Sequence, residues 1–204
     1  MGSEDDFQQP IAYLSKTHKR PMYLFACSLG GIVSSRMLIN DQKSPIKAAA
    51  FYGSPLSVEK NHNYFTNSGL GQYHRIFGGT FLRRQKKQLQ EIMKFSTPEQ
   101  VKSYEVLLNG GVDKNLNTVD DYLVAPMFGF KNKEDYREKT SVTGMLHKIK
   151  IPCFYLHSWD DIVIGRDCIP VKEFEQSENL ILATTPIGGH CCHFESGRLG
   201  GFLP

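Results

Sequence analysis

The sequence predicts an α/β fold built on a mostly parallel sheet flanked by helices, and three observations predict it. Four apolar runs of strand length, Met22 to Ala26, Ala48 to Tyr52, Ile149 to His157 and Leu180 to Thr184, lack the alternation of strands that face water on one side. Continuous apolar runs of this kind are expected of parallel strands buried on both faces. Segments of helical periodicity separate the runs, which is the pattern of a sheet connected by helical crossovers. The runs give way to turn-forming residues, among them Gly30-Gly31, Gly53-Ser54-Pro55, Asp160-Asp161 and Gly188-Gly189.

Before the first strand, Glu4 to Thr17 places Phe7, Ile11 and Leu14 at helical spacing, with acidic residues at its start and Lys16 near its end. It reads as a surface helix with one core face. Pro21 opens the first strand, and Gly30-Gly31 leads into the helical pattern Ile32, Val33, Met37, Leu38. The third run carries Pro152 near its start. Residues 1–56 and 145–204 are expected to form the α/β core. Residues 57–144 show helical periodicity and no comparable strand, and read as an inserted helical cap. Its apolar positions include Phe65, Leu70, Tyr73, Ile76, Phe77, Phe81 and Leu82, followed by the basic run Arg83-Arg84-Gln85-Lys86-Lys87. Ser96-Thr97-Pro98-Glu99 has the composition of a helix start with proline at an early position.

Composition narrows the function. The 204 residues are 40% apolar, enough for a substantial core. Lys and Arg total 24 against 21 acidic residues, a formal net charge of +3, so the chain does not build the basic field that nucleic-acid binding uses. The apolar stretches fall well short of the roughly 20 residues of a membrane span. The start, Met-Gly-Ser-Glu-Asp-Asp, is acidic and does not have the charged and apolar regions of a secretory signal. Five irregularly placed cysteines favour free thiols in a reducing compartment. An intracellular protein, cytoplasmic or membrane-associated, is expected.

The chemistry is expected at the strand ends. Ala26-Cys27-Ser28-Leu29-Gly30 lies where an apolar strand turns into a helix, the context of a nucleophile elbow. Such a turn needs small residues two positions either side of the serine. Gly30 meets that need, and Ala26 meets it less well. After the third strand comes Ser158-Trp159-Asp160-Asp161-Ile162-Val163, an acidic turn. After the fourth, Gly188-Gly189-His190 puts a histidine on a glycine-rich loop. Serine, acid and histidine in this order suit nucleophilic acyl transfer. Asp161 is preferred as the acid because Ile162-Val163 follows it, an apolar residue and then a β-branched one. Asp160 is then expected to cap nearby backbone N–H groups of its own turn.

These residues, together with Asp120-Asp121-Tyr122, Pro126-Met127-Phe128-Gly129-Phe130, Ile149-Lys150-Ile151-Pro152 and Trp159-Asp160-Asp161, resemble the YheT-type branch of the α/β-hydrolases, which holds esterases and lipase-like and phospholipase-like proteins. The resemblance covers nearly the whole chain. It implies Ser28 as nucleophile, Asp161 as acid, His190 as base and the Leu29 N–H as one oxyanion donor. The chain departs from the pattern at Ala26, where the family has glycine, and at Ile162, where it often has proline. Only 27 residues precede Ser28. The resemblance therefore implies the carboxyl-terminal part of the fold, with the first strands missing and an unpaired sheet edge that a partner chain could cover.

The expected function is cleavage of carboxylic esters, small or lipid, by a serine hydrolase that needs no cofactor. The alternative is a truncated, weakly active or non-catalytic hydrolase-like subunit with a structural or partner-binding role. His190-Cys191-Cys192-His193 also suggests zinc, but four adjacent residues cannot all face one metal, and no second cluster completes a tetrahedral site. No metal is expected. The basic run at 83–87 reads first as a solvated helix face, with contact to lipid phosphates at a membrane surface as the lesser alternative.

Overall fold

Four strands, β1 (Met22–Cys27), β2 (Ile46–Tyr52), β3 (Cys153–Ser158) and β4 (Leu180–Thr185), pair side by side in the order β1-β2-β3-β4, and every pair is parallel. This computed structural model describes residues 3–67, 71–110, 112–193, 195–196 and 202–203. Leu70 lies outside the described residues, as do the side chains of Tyr73 and Phe77. Helix α1 (Asp5–Thr17) precedes β1, and α2 (Ser28–Asn40) crosses from β1 to β2. After β2 come α3 (Val58–Asn67), α4 (Gly71–Met93), α5 (Pro98–Leu108), α6 (Leu116–Val119), a π-helical turn at Asp120–Val124, α7 (Ala125–Met127) and α8 (Lys133–Thr140). Helix α9 (Val171–Glu175) joins β3 to β4, and Glu195–Ser196 pairs antiparallel with Phe202–Leu203 as β5 and β6.

The chain divides into two compact units, Met1–Tyr64 with Thr140–Pro204, and Phe65–Lys139. Both limits fall inside the segment 57–144. In the first unit the sheet carries its core on one face. Ile32, Val33 and Met37 of α2, Phe51 of β2, Tyr155 of β3 and Phe174 of α9 are buried together with Val142, Leu146 and Ile149. The Tyr155 ring stacks on Phe51 at 4.4 Å and meets Phe174 edge-on, while its hydroxyl satisfies Ser35 Oγ at 2.9 Å. Side chains of this size each contribute about 1.5–3 kcal/mol when fully removed from water.

Three details differ from the sequence reading. The third strand begins at Cys153 rather than Ile149, because Pro152 has no N–H for the ladder and Leu146–Lys148 is a 3-10 turn. On α1, Phe7 and Ile11 pack against the core, but Leu14 is 41% exposed. The sheet is not buried on both faces. Phe25, Ala50, Phe154 and Ile181 form one row across the four strands, and the three large members are 68%, 40% and 62% exposed. The strands thus alternate between a covered face and an open one, and β1 is an edge.

The helical unit has its own core, which includes Leu82, Leu89, Tyr104, Leu107, Leu123 and Val124. Thr97 opens α5 as the sequence suggests: its side chain accepts from the Gln100 N–H, the Gln100 side chain returns to the Thr97 N–H, and Pro98 stands in the first turn. In the π-helical turn Asp120 is buried and takes both Nε and Nη2 of Arg137 on Oδ2, at 3.0 and 2.7 Å.

Candidate active site

The parallel strands bring their carboxyl ends to one end of the sheet, and the first of them turns sharply into α2. Ser28 follows Cys27 with φ at +48°, a left-handed conformation that costs a residue with a Cβ roughly 1–2 kcal/mol. The position with no room for a side chain is Gly31, where the Ser54 side chain stands, and not Gly30. A Cβ at Gly31 would stand 1.7 Å from Ser54 Oγ, whereas one at Gly30 would meet nothing within 4 Å. Ala26 is buried, with its methyl group accommodated in the core. The small residue that lets the elbow seat against the end of β2 is therefore one position later than the spacing suggests.

After β3, Asp161 is 2% exposed, and its two oxygens have separate tasks. Oδ1 accepts from the N–H groups of Val163 and Ile164 at 2.7 and 2.9 Å, which fixes the turn. Oδ2 lies 2.9 Å from His190 Nδ1. Asp160 does not cap its own turn as expected. Its Oδ1 accepts from the Gly189 N–H at 2.8 Å, so it holds the loop after β4, while Asp161 does the local capping.

That loop carries His190, whose Nε2 lies 2.8 Å from Ser28 Oγ. A carboxylate can only accept, so the Nδ1–H of His190 donates to Asp161, and Nε2 is left to accept from the Ser28 hydroxyl. Ser28, His190 and Asp161 thus form one hydrogen-bonded line across the ends of β1, β4 and β3. Gly53, at φ +53°, makes room beside it: a Cβ there would stand 2.7 Å from Cys191 Sγ and 3.5 Å from His190 Nδ1. Leu29 is the next residue of the α2 amino terminus, where backbone N–H groups have no intrahelical acceptor. In this geometry an imidazole can take a proton from the hydroxyl it faces, beside backbone N–H groups at the start of a helix.

Several neighbours carry no signal in the apolar pattern. His157 of β3 is 1% exposed, neither ring nitrogen has a hydrogen-bond partner among the described residues, and burial pushes its pKa down to about 4. Ser158 Oγ donates to the Gly189 carbonyl. Tyr52 and Thr185, the last residues of β2 and β4, both bond His193. Their common signal is a hydroxyl or imidazole at the end of an apolar run. Within His190-Cys191-Cys192-His193, the two histidines face different partners and Cys191 Sγ donates to the Tyr52 carbonyl. Burial pushes the Cys191 thiol up to about 11. Among the described residues, no helix is long and apolar enough to cross a membrane.

No protein-family model matches the chain. It is similar to the monoacylglycerol lipase of Saccharomyces cerevisiae, 29% identical over 188 residues that make up 88% of this chain and 40% of that protein. It is also similar to protein abhd-3.2 of Caenorhabditis elegans, 35% identical over 48% of this chain and 28% of that protein. Against the phospholipase ABHD3 of Mus musculus it is 31% identical over 45% of this chain and 21% of that protein. The chain thus spans less than half the length of these relatives. Among solved structures, an alpha/beta fold family hydrolase from Bacillus anthracis str. Sterne superposes with a TM-score of 0.55 at 15% identity, covering 92% of this chain and 68% of that one. The fold is that of the α/β-hydrolases, present here in part, with four parallel strands among the described residues. The lipase and phospholipase matches support an α/β-hydrolase family.

Proposed function

We propose that the chain carries the nucleophile, base and acid of a serine hydrolase, of the YheT-type branch, that cleaves carboxylic esters of lipids. The observation that carries this reading is the line from Ser28 Oγ to His190 Nε2 and from His190 Nδ1 to Asp161, at 2.8 and 2.9 Å. His190 takes the Ser28 proton as Oγ attacks the ester carbonyl, and the imidazolium that forms is held by Asp161. The Leu29 N–H donates to the oxyanion. Collapse of the tetrahedral intermediate breaks the C–O bond to the alcohol, which leaves with the proton from His190. Water, deprotonated by His190, then releases the acid from Ser28. Lipid esters are favoured as substrates because the relatives are named as lipases and a phospholipase.

A fluorophosphonate probe tests the reading, since it labels only an activated serine. The expected result is one adduct on Ser28, absent from Ser28→Ala, with hydrolysis of p-nitrophenyl esters lost in the same variant. Ester turnover that survives Ser28→Ala would overturn the assignment. Absence of any adduct on Ser28 would favour the non-catalytic subunit instead.

A further inference from the structure

The loop that carries His190 is held on both sides, and the second hold is a histidine that the proposed chemistry does not use. On the amino side, Gly189 is fixed through its N–H by Asp160 and through its carbonyl by Ser158. On the carboxyl side the chain turns at Cys191, φ +57°, and the Cys192 N–H returns to the Gly188 carbonyl at 3.0 Å. His193 then reaches back to the sheet. Its Nδ1 bonds the Tyr52 hydroxyl, its backbone N–H donates to the same oxygen at 2.8 Å, and its Nε2 lies 2.6 Å from Thr185 Oγ1. With the Tyr52 oxygen accepting the amide, its O–H can donate to Nδ1 while the Nε2–H donates to Thr185. In that tautomer both ring nitrogens and the Tyr52 hydroxyl are satisfied. The ring also packs against the loop backbone: a Cβ on Gly188 would stand 2.2 Å from His193 Nε2.

Tyr52 and Thr185 end β2 and β4, the strands on either side of β3, whose following turn supplies Asp161. A side chain bonded to both fixes the loop relative to the acid and to the nucleophile elbow. We infer that His193 is a positioning residue for the proposed general base: bridging Tyr52 and Thr185, it sets where the His190 ring stands between Ser28 and Asp161. The inference rests on the serine-hydrolase reading. Misplacing a reacting group by about 1 Å costs up to roughly 100-fold in rate, so loss of the bridge acts on kcat while leaving substrate binding as it is.

The test replaces the bridge in two ways. His193→Phe keeps a ring and removes both bonds, while the double variant Tyr52→Phe, Thr185→Val keeps His193 and removes its partners. Both are expected to lower kcat by about 10- to 100-fold, with KM within twofold, and to slow fluorophosphonate labelling in parallel. Both are also expected to shift or broaden the low-field proton resonance of His190 Nδ1–H. His193→Gln, which can still accept and donate, should recover part of the rate. If His193→Phe fails to fold, the double variant decides. Wild-type kcat and an unmoved His190 resonance in either variant would overturn the inference, as would a lower melting temperature with kcat intact. The resonance is read without any turnover, so it separates this failure from failure of the hydrolase reading, which Ser28→Ala decides.

Discussion

Two buried carboxylates, one in each unit, show how differently the same group is used. Asp120 of the helical unit is 5% exposed and faces Arg137, whose charge is permanent. Burial pushes the Asp120 carboxyl above its ordinary range, partly offset by the guanidinium. Asp161 of the sheet unit is equally buried but faces His190, which gains a charge only on taking a proton. A fixed charge opposite a carboxylate makes a static tie. An imidazole opposite one makes a place where charge can come and go with a proton, which is what the proposed chemistry would use to favour a transition state over the ground state. The backbone supports differ accordingly. Asp161 is locked by two N–H groups on the oxygen that His190 does not use, so its other oxygen points one way only.

Asp161→Asn should break the comparison most severely. The amide keeps an oxygen for Val163 and Ile164 but turns an NH2 toward His190 Nδ1, forcing the proton onto Nε2, where it blocks proton uptake from Ser28. Ester kcat/KM is expected to fall by about 10³ to 10⁴ with the melting temperature nearly unchanged. A loss of less than tenfold would remove Asp161 from the acid role.

The same exercise in the helical unit should exchange rate for stability. Asp120→Ala removes the carboxylate that takes both Nε and Nη2 of Arg137, and losing one partner of a buried pair costs about 3–5 kcal/mol. Denaturant unfolding should show that loss, while the labelling rate of Ser28 in the folded protein stays at the wild-type value. A large loss of labelling with stability intact would place Asp120 in the chemistry.

Next in size is a pH effect beside Asp161. Burial lowers His157 from 6.5 to about 4, opposed by the Asp161 charge and reinforced by His190. Between those values the unfolded chain binds a proton that the folded chain does not. Stability contributed by neutral His157 is therefore complete above pH 6.5 and falls as the pH drops toward 4, by up to about 3 kcal/mol. His157→Phe should flatten the dependence of stability on pH between 7 and 5, and should cost little at pH 7, since the ring nitrogens have no hydrogen-bond partner among the described residues. An unchanged slope in the variant would assign the acid sensitivity to other groups.

The difference between what was legible and what was not follows distance along the chain. Apolar runs and the turn residues after them are local, so the presence of β1 to β4 and the chain order of Ser28, Asp161 and His190 are readable directly, although β3 starts at Cys153 and not at Ile149. Gly31 rather than Gly30, and the bridge from His193 to Tyr52 and Thr185, depend on which strand ends lie side by side. That is set by register and not by neighbours in sequence. The open row of Phe25, Phe154 and Ile181 is hidden in the sequence for a related reason: an apolar run looks the same whether or not something covers its second face.

Asp160 gives the smallest effect and the sharpest control on the choice between adjacent carboxylates. It is exposed, and its Oδ1 accepts the Gly189 N–H at 2.8 Å. Asp160→Asn keeps a carbonyl oxygen in that place and should leave kcat within about twofold, because an exposed carboxylate gains little from its charge. Asp160→Ala removes the acceptor and frees one of the two holds on Gly189, while the Ser158 bond to the Gly189 carbonyl remains. A single hydrogen bond of this kind is worth about 0.5–1.5 kcal/mol, so kcat should fall roughly 2- to 10-fold. The order of the pair is what matters. Were Asp160 the residue that orients His190, its Asn variant would be as damaging as Asp161→Asn. A steady-state comparison of Asp160→Asn, Asp160→Ala and Asp161→Asn on one ester therefore distinguishes a carboxylate that holds a loop from one that holds a proton.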